Sequence, residues 1–250
     1  PMIVYGAASE TSIPRLYAAG VLPGLLLAIS LAAYVIWRAH SEGYGKGQPV
    51  TVRDILHNSR RAIWALGAPV IVLGGIYGGV FSPTEAAAVA CLYSMLVTRF
   101  ILQELSWNDI LSSARNTVVF TTQILLIVSA AGLFSWILTV NQVPQIFVAW
   151  IEQNNVQPWQ FLLAVNVLLL IWGCVMEPMS AILLLTPVLV PLVHTLGIDP
   201  VHFGIIMTLN LAIGLFTPPF GINIFVAQSA LGMRTGDIYK GVWPFFAVFL

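Results

Sequence analysis

Charge is the first thing this sequence lacks. Aspartate, glutamate, lysine and arginine make up 8% of its 250 residues, against 58% for hydrophobic types, whereas a soluble domain carries about 25% and about 45–50%. Ten acids balance ten bases. So neutral and charge-poor a chain is neither an electrostatically driven nucleic-acid binder nor a disordered segment. Cysteine is nearly absent: there are two, Cys91 and Cys174. Both lie inside apolar runs, which argues against a disulfide or thiolate metal pair and reads them as buried, inert packing residues. No basic stretch precedes a short apolar one, so no cleavable signal peptide is expected. Nor is there a nucleophile–histidine–acid constellation, phosphate loop, metal-ligand spacing or haem motif, which leaves an enzyme nothing to rest on. What remains is apolar, with mean hydropathy +0.90: an integral membrane protein.

The few charges are clumped, and the gaps between them mark the spans. Uncharged runs cover 16–37, 62–83, 116–151, 153–176, 178–198 and 200–233. About 20 mainly apolar residues cross the hydrocarbon layer as a helix. The runs are rich in Leu, Ile, Val and Ala without strict two-residue alternation, so helices fit better than barrel strands. The reading is all-α and polytopic, with spans near 16–37, 62–81, 85–102, 117–138, 159–196 and 201–231, and a last one opening at Val242. Residues 1–8 read as the tail of another. Arg38, Lys46, Arg53, Arg60 and Arg61 cluster in or beside one hydrophilic loop, 38–61, which the positive-inside rule makes cytoplasmic. Alternating from there puts Arg99 and Arg115 on the same side, and if 159–196 enters and leaves by one side, Arg234 and Lys240 join them. Nine of the ten bases are then inside, with Arg15 alone outside. Trp37, Trp107, Trp159 and Trp243 near span ends fit an aromatic belt.

Two stretches resemble each other. Pro1-Met-Ile-Val-Tyr followed by Gly20-Val21-Leu22-Pro23 parallels Pro219-Phe-Gly-Ile-Asn followed by Gly241-Val242-Trp243-Pro244. The topology runs the helices after Gly20 and Gly241 in opposite directions, the mark of inverted repeats in secondary transporters. The second unit has sequence before Pro219 that the first lacks before Pro1, and residues 243–250 stop partway into an apolar helix. The expectation is about one and a half units of a larger permease.

Residues 159–231 carry the features that suggest chemistry. Met176-Glu177-Pro178-Met179-Ser180 interrupts 159–196 into halves of about 16–18 residues, or about 24–27 Å as helix. That is short for two spans and suits a re-entrant hairpin, with Pro178 in the first turn of its second helix; two ordinary spans with a tight turn are the plainer alternative. Further on, Gly214-Leu-Phe-Thr217-Pro218-Pro219-Phe-Gly221-Ile-Asn223 breaks the last long run. Tandem prolines remove two backbone donors and disfavour helix before them. The carbonyls so freed must face protein or a polar cavity. Unwound carbonyls and a half-helix C-terminus suit sodium, whereas half-helix N-termini at Pro178 and after Pro219 suit an anion. Ser180, Thr186, Asn210, Thr217 and Asn223 are available to either shell. Glu177 is open to three roles: capping the second hairpin helix, binding a cation, or relaying a proton. Ser82, Pro83 and Glu85 read as N-cap, first and third positions of a helix start. His194 and His202, flanking the Gly197–Pro200 turn, read as interfacial residues.

These motifs resemble a family. Met176-Glu-Pro-x-x-Ala-Ile-Leu-Leu-Leu-Thr-Pro, Gly197-Ile-Asp-Pro-Val-His-Phe-Gly204 and Asn210-Leu-Ala-Ile-Gly-Leu-x-Thr-Pro-Pro219 are similar to the C-terminal portion of the large membrane subunit of tripartite ATP-independent periplasmic (TRAP) transporters. Val80–Ala88 and Pro1–Gly6 look like the same family. The resemblance implies a sodium-coupled, elevator-type importer in the bacterial inner membrane. It would be paired with a small membrane subunit, fed by a periplasmic substrate-binding protein, and specific for an organic acid such as a C4-dicarboxylate or sialic acid. Sodium is then the coupling ion and no other cofactor is expected; the lipid bilayer is its surroundings and nucleic acid no partner.

The resemblance places a sodium site where the hairpin tip meets the broken helix, so Gly173, Met176, Ser180, Gly214, Thr217 and Pro219 are its candidate positions. Glu177, Pro178, Asn210, Pro218 and Asn223 are the candidates for substrate. It also divides the chain into an arm (1–15), scaffold helices (16–139), half a moving transport domain (140–231) and a cytoplasmic arm with the start of the last helix (232–250). An ion channel or a non-transporting structural subunit, using the broken helix as a wall, is the alternative.

Overall fold

The computed structural model describes residues 1–43, 51–218 and 221–249. Among them are eleven α-helices and no strand: α1 (Met2–Ala8), α2 (Ile13–Ser41), α3 (Val52–Tyr77), α4 (Pro83–Leu96), α5 (Trp107–Val140), α6 (Val143–Gln153), α7 (Pro158–Val175), α8 (Pro178–Thr195), α9 (Pro200–Gly214), α10 (Ile222–Leu231) and α11 (Thr235–Phe249). Five helical segments of the described residues are long and apolar enough to cross a bilayer: Ile13–Ser41, Pro83–Ile101, Trp107–Val140, Pro158–Val175 and Pro178–Thr195. Ala62–Tyr77 and Pro200–Gly214 are shorter apolar helices. The chain is a multi-pass, all-helical membrane protein.

Several boundaries correct the reading by charge gaps. α2 runs to Ser41 and α3 begins at Val52, so much of the expected loop 38–61 is helical, while residues 44–50, with Lys46, lie outside the described residues. α11 opens at Thr235 rather than at Val242. The reason is common to both: a helix needs apolar side chains only where it meets hydrocarbon, and continues through polar residues beyond it. The run 116–151 contains two helices, because Gln142, in the left-handed region at φ 54, ends α5 and turns the chain into α6. Cys91 is exposed on α4, not buried; Cys174 is half-buried and donates its Sγ–H to the Leu170 carbonyl at 3.0 Å.

The helix start at Ser82 forms as its sequence suggests. Ser82 Oγ accepts from Glu85 N at 3.3 Å, and the Glu85 carboxylate accepts from Ser82 N at 2.8 Å. Such a box satisfies two donors that helix geometry leaves unpaired. α4 ends in a π-helical turn, Val97–Ile101, closed by Leu102 N donating to Val97 O at 2.9 Å.

The chain divides into two compact units, residues 1–37 with 125–250, and residues 38–124, the division falling within α2 and α5. In the second, α3 packs on α4, with the Tyr93 hydroxyl donating to the Trp64 carbonyl at 2.8 Å. The Arg99 guanidinium there lies 5.7 Å from the Trp107 ring centroid. In the first unit, α9 is the central element, contacted by α1, α7 and α8. α7 and α9 run in parallel: Phe161 stacks near Phe203 (6.2 Å) at one end and Gly173 meets Gly214 at the other. α1 closes this core through Tyr5, fully buried, whose hydroxyl donates to the Pro200 carbonyl at 2.8 Å.

The paired stretches found in the sequence also match locally. α1 and α10 are short helices, each followed by a left-handed residue (Glu10, φ 55; Gly232, φ 63) and a longer helix with an internal proline, Pro23 in α2 and Pro244 in α11.

Candidate functional site

The candidate site begins where α7 stops. Met176 and Glu177 are extended (φ −118, ψ 149 and φ −65, ψ 137), as expected for residues forced out of helix ahead of Pro178. Trp172 Nε1–H points to Met176 Sδ at 2.7 Å, which fixes the Met176 side chain against the last turn of α7. Pro178, buried, opens α8 in the position where its missing N–H costs nothing. The Glu177 carboxylate accepts from Ser180 N at 3.1 Å and from Ser180 Oγ at 3.3 Å. Of the roles open to Glu177, this geometry is the cap. It places a negative charge at the positive end of α8 and ties Ser180 to the same oxygen.

The second half of the site is the break after α9. Gly214 is the last helical residue, and the chain then turns through Leu215–Pro218 before α10 begins at Ile222. Pro219 and Phe220 lie outside the described residues, so the candidate at Pro219 has no structural account. The turn is closed by its own backbone: Phe216 N donates to Ile213 O (3.2 Å), Thr217 N to Gly214 O (3.1 Å), Gly221 N to Thr217 O (3.1 Å) and Asn223 N to Leu215 O (2.9 Å). Thr217 is buried, and its hydroxyl donates to the Ile213 carbonyl at 2.7 Å. A hydroxyl has one proton and two lone pairs. With the proton committed to Ile213, Thr217 Oγ1 can act toward anything else only as an acceptor.

The two halves meet through glycine. A Cβ built on Gly173 would lie 3.2 Å from both Gly214 Cα and Leu211 Cα. A Cβ on Gly214 would clash with the carbonyl carbon of Gly173 and lie 2.5 Å from its Cα. The ends of α7 and α9 therefore touch backbone to backbone, a closeness that only small residues allow and on which helix contacts in lipid depend.

Of the positions expected from sequence, the structure brings Gly173 and Gly214 into contact, pairs Glu177 with Ser180, and buries Pro178 and Thr217 beside them in the chain. Pro218 is half-buried in the turn, and Asn223 is exposed at the start of α10. Asn210 lies within α9, one helical turn before Gly214. Its Nδ2 donates to Asn166 Oδ1 at 2.6 Å and to Ile206 O at 2.8 Å. Asn166, on α7, was not singled out from sequence; the one amide in the apolar stretch 161–175 was the available signal. Thr186, fully buried on α8, has no hydrogen-bond partner at Oγ1 among the described residues. There is no group of three or more His, Cys, Asp or Glu side chains among them able to hold a metal ion.

The family profile for the tripartite ATP-independent periplasmic transporter DctM component matches residues 1–250. The C4-dicarboxylate TRAP transporter large permease protein DctM of Pseudomonas aeruginosa is 41% identical over 249 residues, covering 100% of this chain and 58% of that protein. The ectoine TRAP transporter large permease protein TeaC of Halomonas elongata is 38% identical, covering 98% and 57%. The sialic acid TRAP transporter large permease protein SiaM of Vibrio cholerae is 37% identical, covering 98% and 57%. The chain thus spans a little over half the length of these relatives. It belongs to the DctM component family of tripartite ATP-independent periplasmic transporters.

Proposed function

We propose that the chain is part of the large permease subunit of a sodium-coupled importer in a bacterial inner membrane. It takes an organic acid from a periplasmic binding protein and works beside a small membrane subunit. Family membership supports the transport role and the tripartite assembly. Two of the relatives carry names that specify organic anions, a C4-dicarboxylate and sialic acid, which supports the substrate class.

The observation that carries the sodium reading is the Gly173–Gly214 contact at the interrupted end of α9. A helix C-terminus presents carbonyl oxygens and the negative end of its dipole, and two such ends, those of α7 and α9, converge here. Thr217 adds a buried hydroxyl oriented to accept rather than donate. Neutral oxygen donors of this kind suit a hard monovalent cation with no protein carboxylate in the shell. The starts of α8 and α10, with Pro178, Pro218 and Asn223 nearby in the chain, mark the side proposed for an anion. In this reading, α7–α10 (with residues 140–231) belong to a transport domain that moves past a scaffold built from residues 16–139, in an elevator motion between inverted repeats. The same reading puts nine of the ten bases on the cytoplasmic side.

The test is uptake into proteoliposomes holding the full-length permease with its small subunit and binding protein. With sodium outside and potassium inside, the substrate is expected to accumulate. With sodium equal on both sides, or replaced by choline, accumulation is expected to vanish. Accumulation indifferent to the sodium gradient overturns the proposal.

A further inference from the structure

The contact that joins α7 to α9 at Gly173 and Gly214 is permissive. Glycine backbones touch without preferring one axial register, since dispersion contacts are weak and non-directional. One to two turns earlier along the same pair of helices stands a contact that does fix register. Asn210 lies about 6 Å before Gly214 along α9, and Asn166 about 10 Å before Gly173 along α7. Asn210 Nδ2 spends both its hydrogens, one on Asn166 Oδ1 (2.6 Å) and one on Ile206 O of its own helix (2.8 Å). Asn166 Nδ2 donates to Leu162 O at 2.7 Å. Each amide nitrogen is thus anchored to its own helix. That holds the Asn166 oxygen toward α9 and the second Asn210 hydrogen toward α7.

The surroundings make the bond obligatory. Asn210 is buried, Asn166 half-buried, and their neighbours along the chain, Val165, Leu169, Met207 and Leu211, are buried apolar residues. Water has little access to replace either partner, and an unpaired amide in such a place costs the full desolvation of its polar group. Asparagine is also a poor helix former in mid-helix, so local propensity does not account for either residue.

We propose that Asn166 and Asn210 are positioning residues that lock α7 and α9 in register, so that the hairpin end and the helix break hold one geometry at the Gly173–Gly214 junction. The proposal rests on reading that junction as the sodium site. It also assigns Asn210 to this clamp instead of to direct contact with substrate.

The experiment uses the purified full-length permease with its small subunit, all native cysteines replaced by serine. Nitroxides at Ile171→Cys and Ala212→Cys report the α7–α9 spacing by dipolar broadening. Sodium chloride titrated against choline chloride reports the sodium midpoint for thermal stabilisation. Asn166→Leu and Asn210→Leu are each expected to broaden the distance distribution and to raise the sodium midpoint about three- to twentyfold, the range of an interhelical hydrogen bond in a membrane. The double variant is expected to have an effect no larger than a single one, because either change alone already breaks the bond and the second removes the amide left unpaired. Unchanged nitroxide spacing, an unchanged sodium midpoint or additive effects would each overturn the clamp. If Asn210→Leu does not accumulate, the half-buried Asn166→Leu decides the matter alone. If sodium fails to stabilise the unsubstituted permease, the sodium reading falls, and the clamp is judged on nitroxide spacing only.

Discussion

Gly214→Ala in the full-length permease is expected to collapse transport, and Gly173→Ala to impair it less. The asymmetry follows from what each new methyl would meet. At position 214 it falls on the backbone of Gly173, with the Gly173 carbonyl oxygen 2.7 Å away. Backbone cannot rotate aside as a flexible side chain does, so α7 and α9 must separate. At position 173 the nearest atoms are 3.2 Å away, and a shift of a few tenths of an ångström relieves the contact. Overpacking costs about 1–3 kcal/mol where the surroundings can adjust; Gly214→Ala sits at or above the top of that range and Gly173→Ala near the bottom. At about tenfold per 1.4 kcal/mol, uptake by the first is expected to fall about a hundredfold and by the second severalfold. Initial uptake rates at matched membrane abundance, with sodium titrated for each variant, check the order. Equal effects of the two substitutions, or a Gly214→Ala protein at full activity, would refute the backbone contact.

The second large effect is expected at Tyr5, and it concerns stability. Tyr5 is fully buried, its ring against Gly204 and 6.4 Å from the Phe203 ring, its hydroxyl on the Pro200 carbonyl. α1 is only seven residues long and cannot persist as a helix by itself, so tertiary contacts such as this one must hold it. Tyr5→Ala removes an aromatic side chain from a packed site and is expected to cost about 3–5 kcal/mol. Tyr5→Phe loses only the hydroxyl and its hydrogen bond to the Pro200 carbonyl, for about 1 kcal/mol. Thermal unfolding of the two variants in detergent distinguishes these costs. If Tyr5→Ala melts with the unsubstituted protein, α1 is not held as described.

How far the sequence could be read follows from the range of each interaction. The spans were legible because charges are excluded from hydrocarbon, so gaps between charges mark them regardless of packing. Their ends were not, since α3 and α11 continue into polar sequence where only local propensity decides. The breaks at Met176–Glu177 and after Gly214 were legible because proline acts on its immediate neighbours. The same locality made the Ser82–Glu85 box and the Glu177 cap readable, each joining residues three apart. α6 was missed because its apolar residues continue the α5 run, with only Asn141-Gln142 between. The Asn166–Asn210 bond joins residues 44 apart, and nothing in either helix alone points to the other. Likewise the glycines marked the neighbourhood of the site, but that Gly173 lies on Gly214 is a fact of packing.

The central claim, that the junction of α7 with the broken end of α9 binds the coupling sodium, is tested most directly at Thr217. Its hydroxyl is buried and its proton committed to Ile213, which leaves its lone pairs to a cation. The measurement is the sodium concentration for half-maximal uptake by the full-length complex, at saturating binding protein, for Thr217→Ser and Thr217→Val. Serine keeps the oxygen and is expected to stay within about twofold; valine keeps the shape and loses the oxygen, and is expected to need about tenfold more sodium or more, the equivalent of one lost oxygen ligand at about 1–3 kcal/mol. A Thr217→Val protein with unchanged sodium dependence would contradict the account.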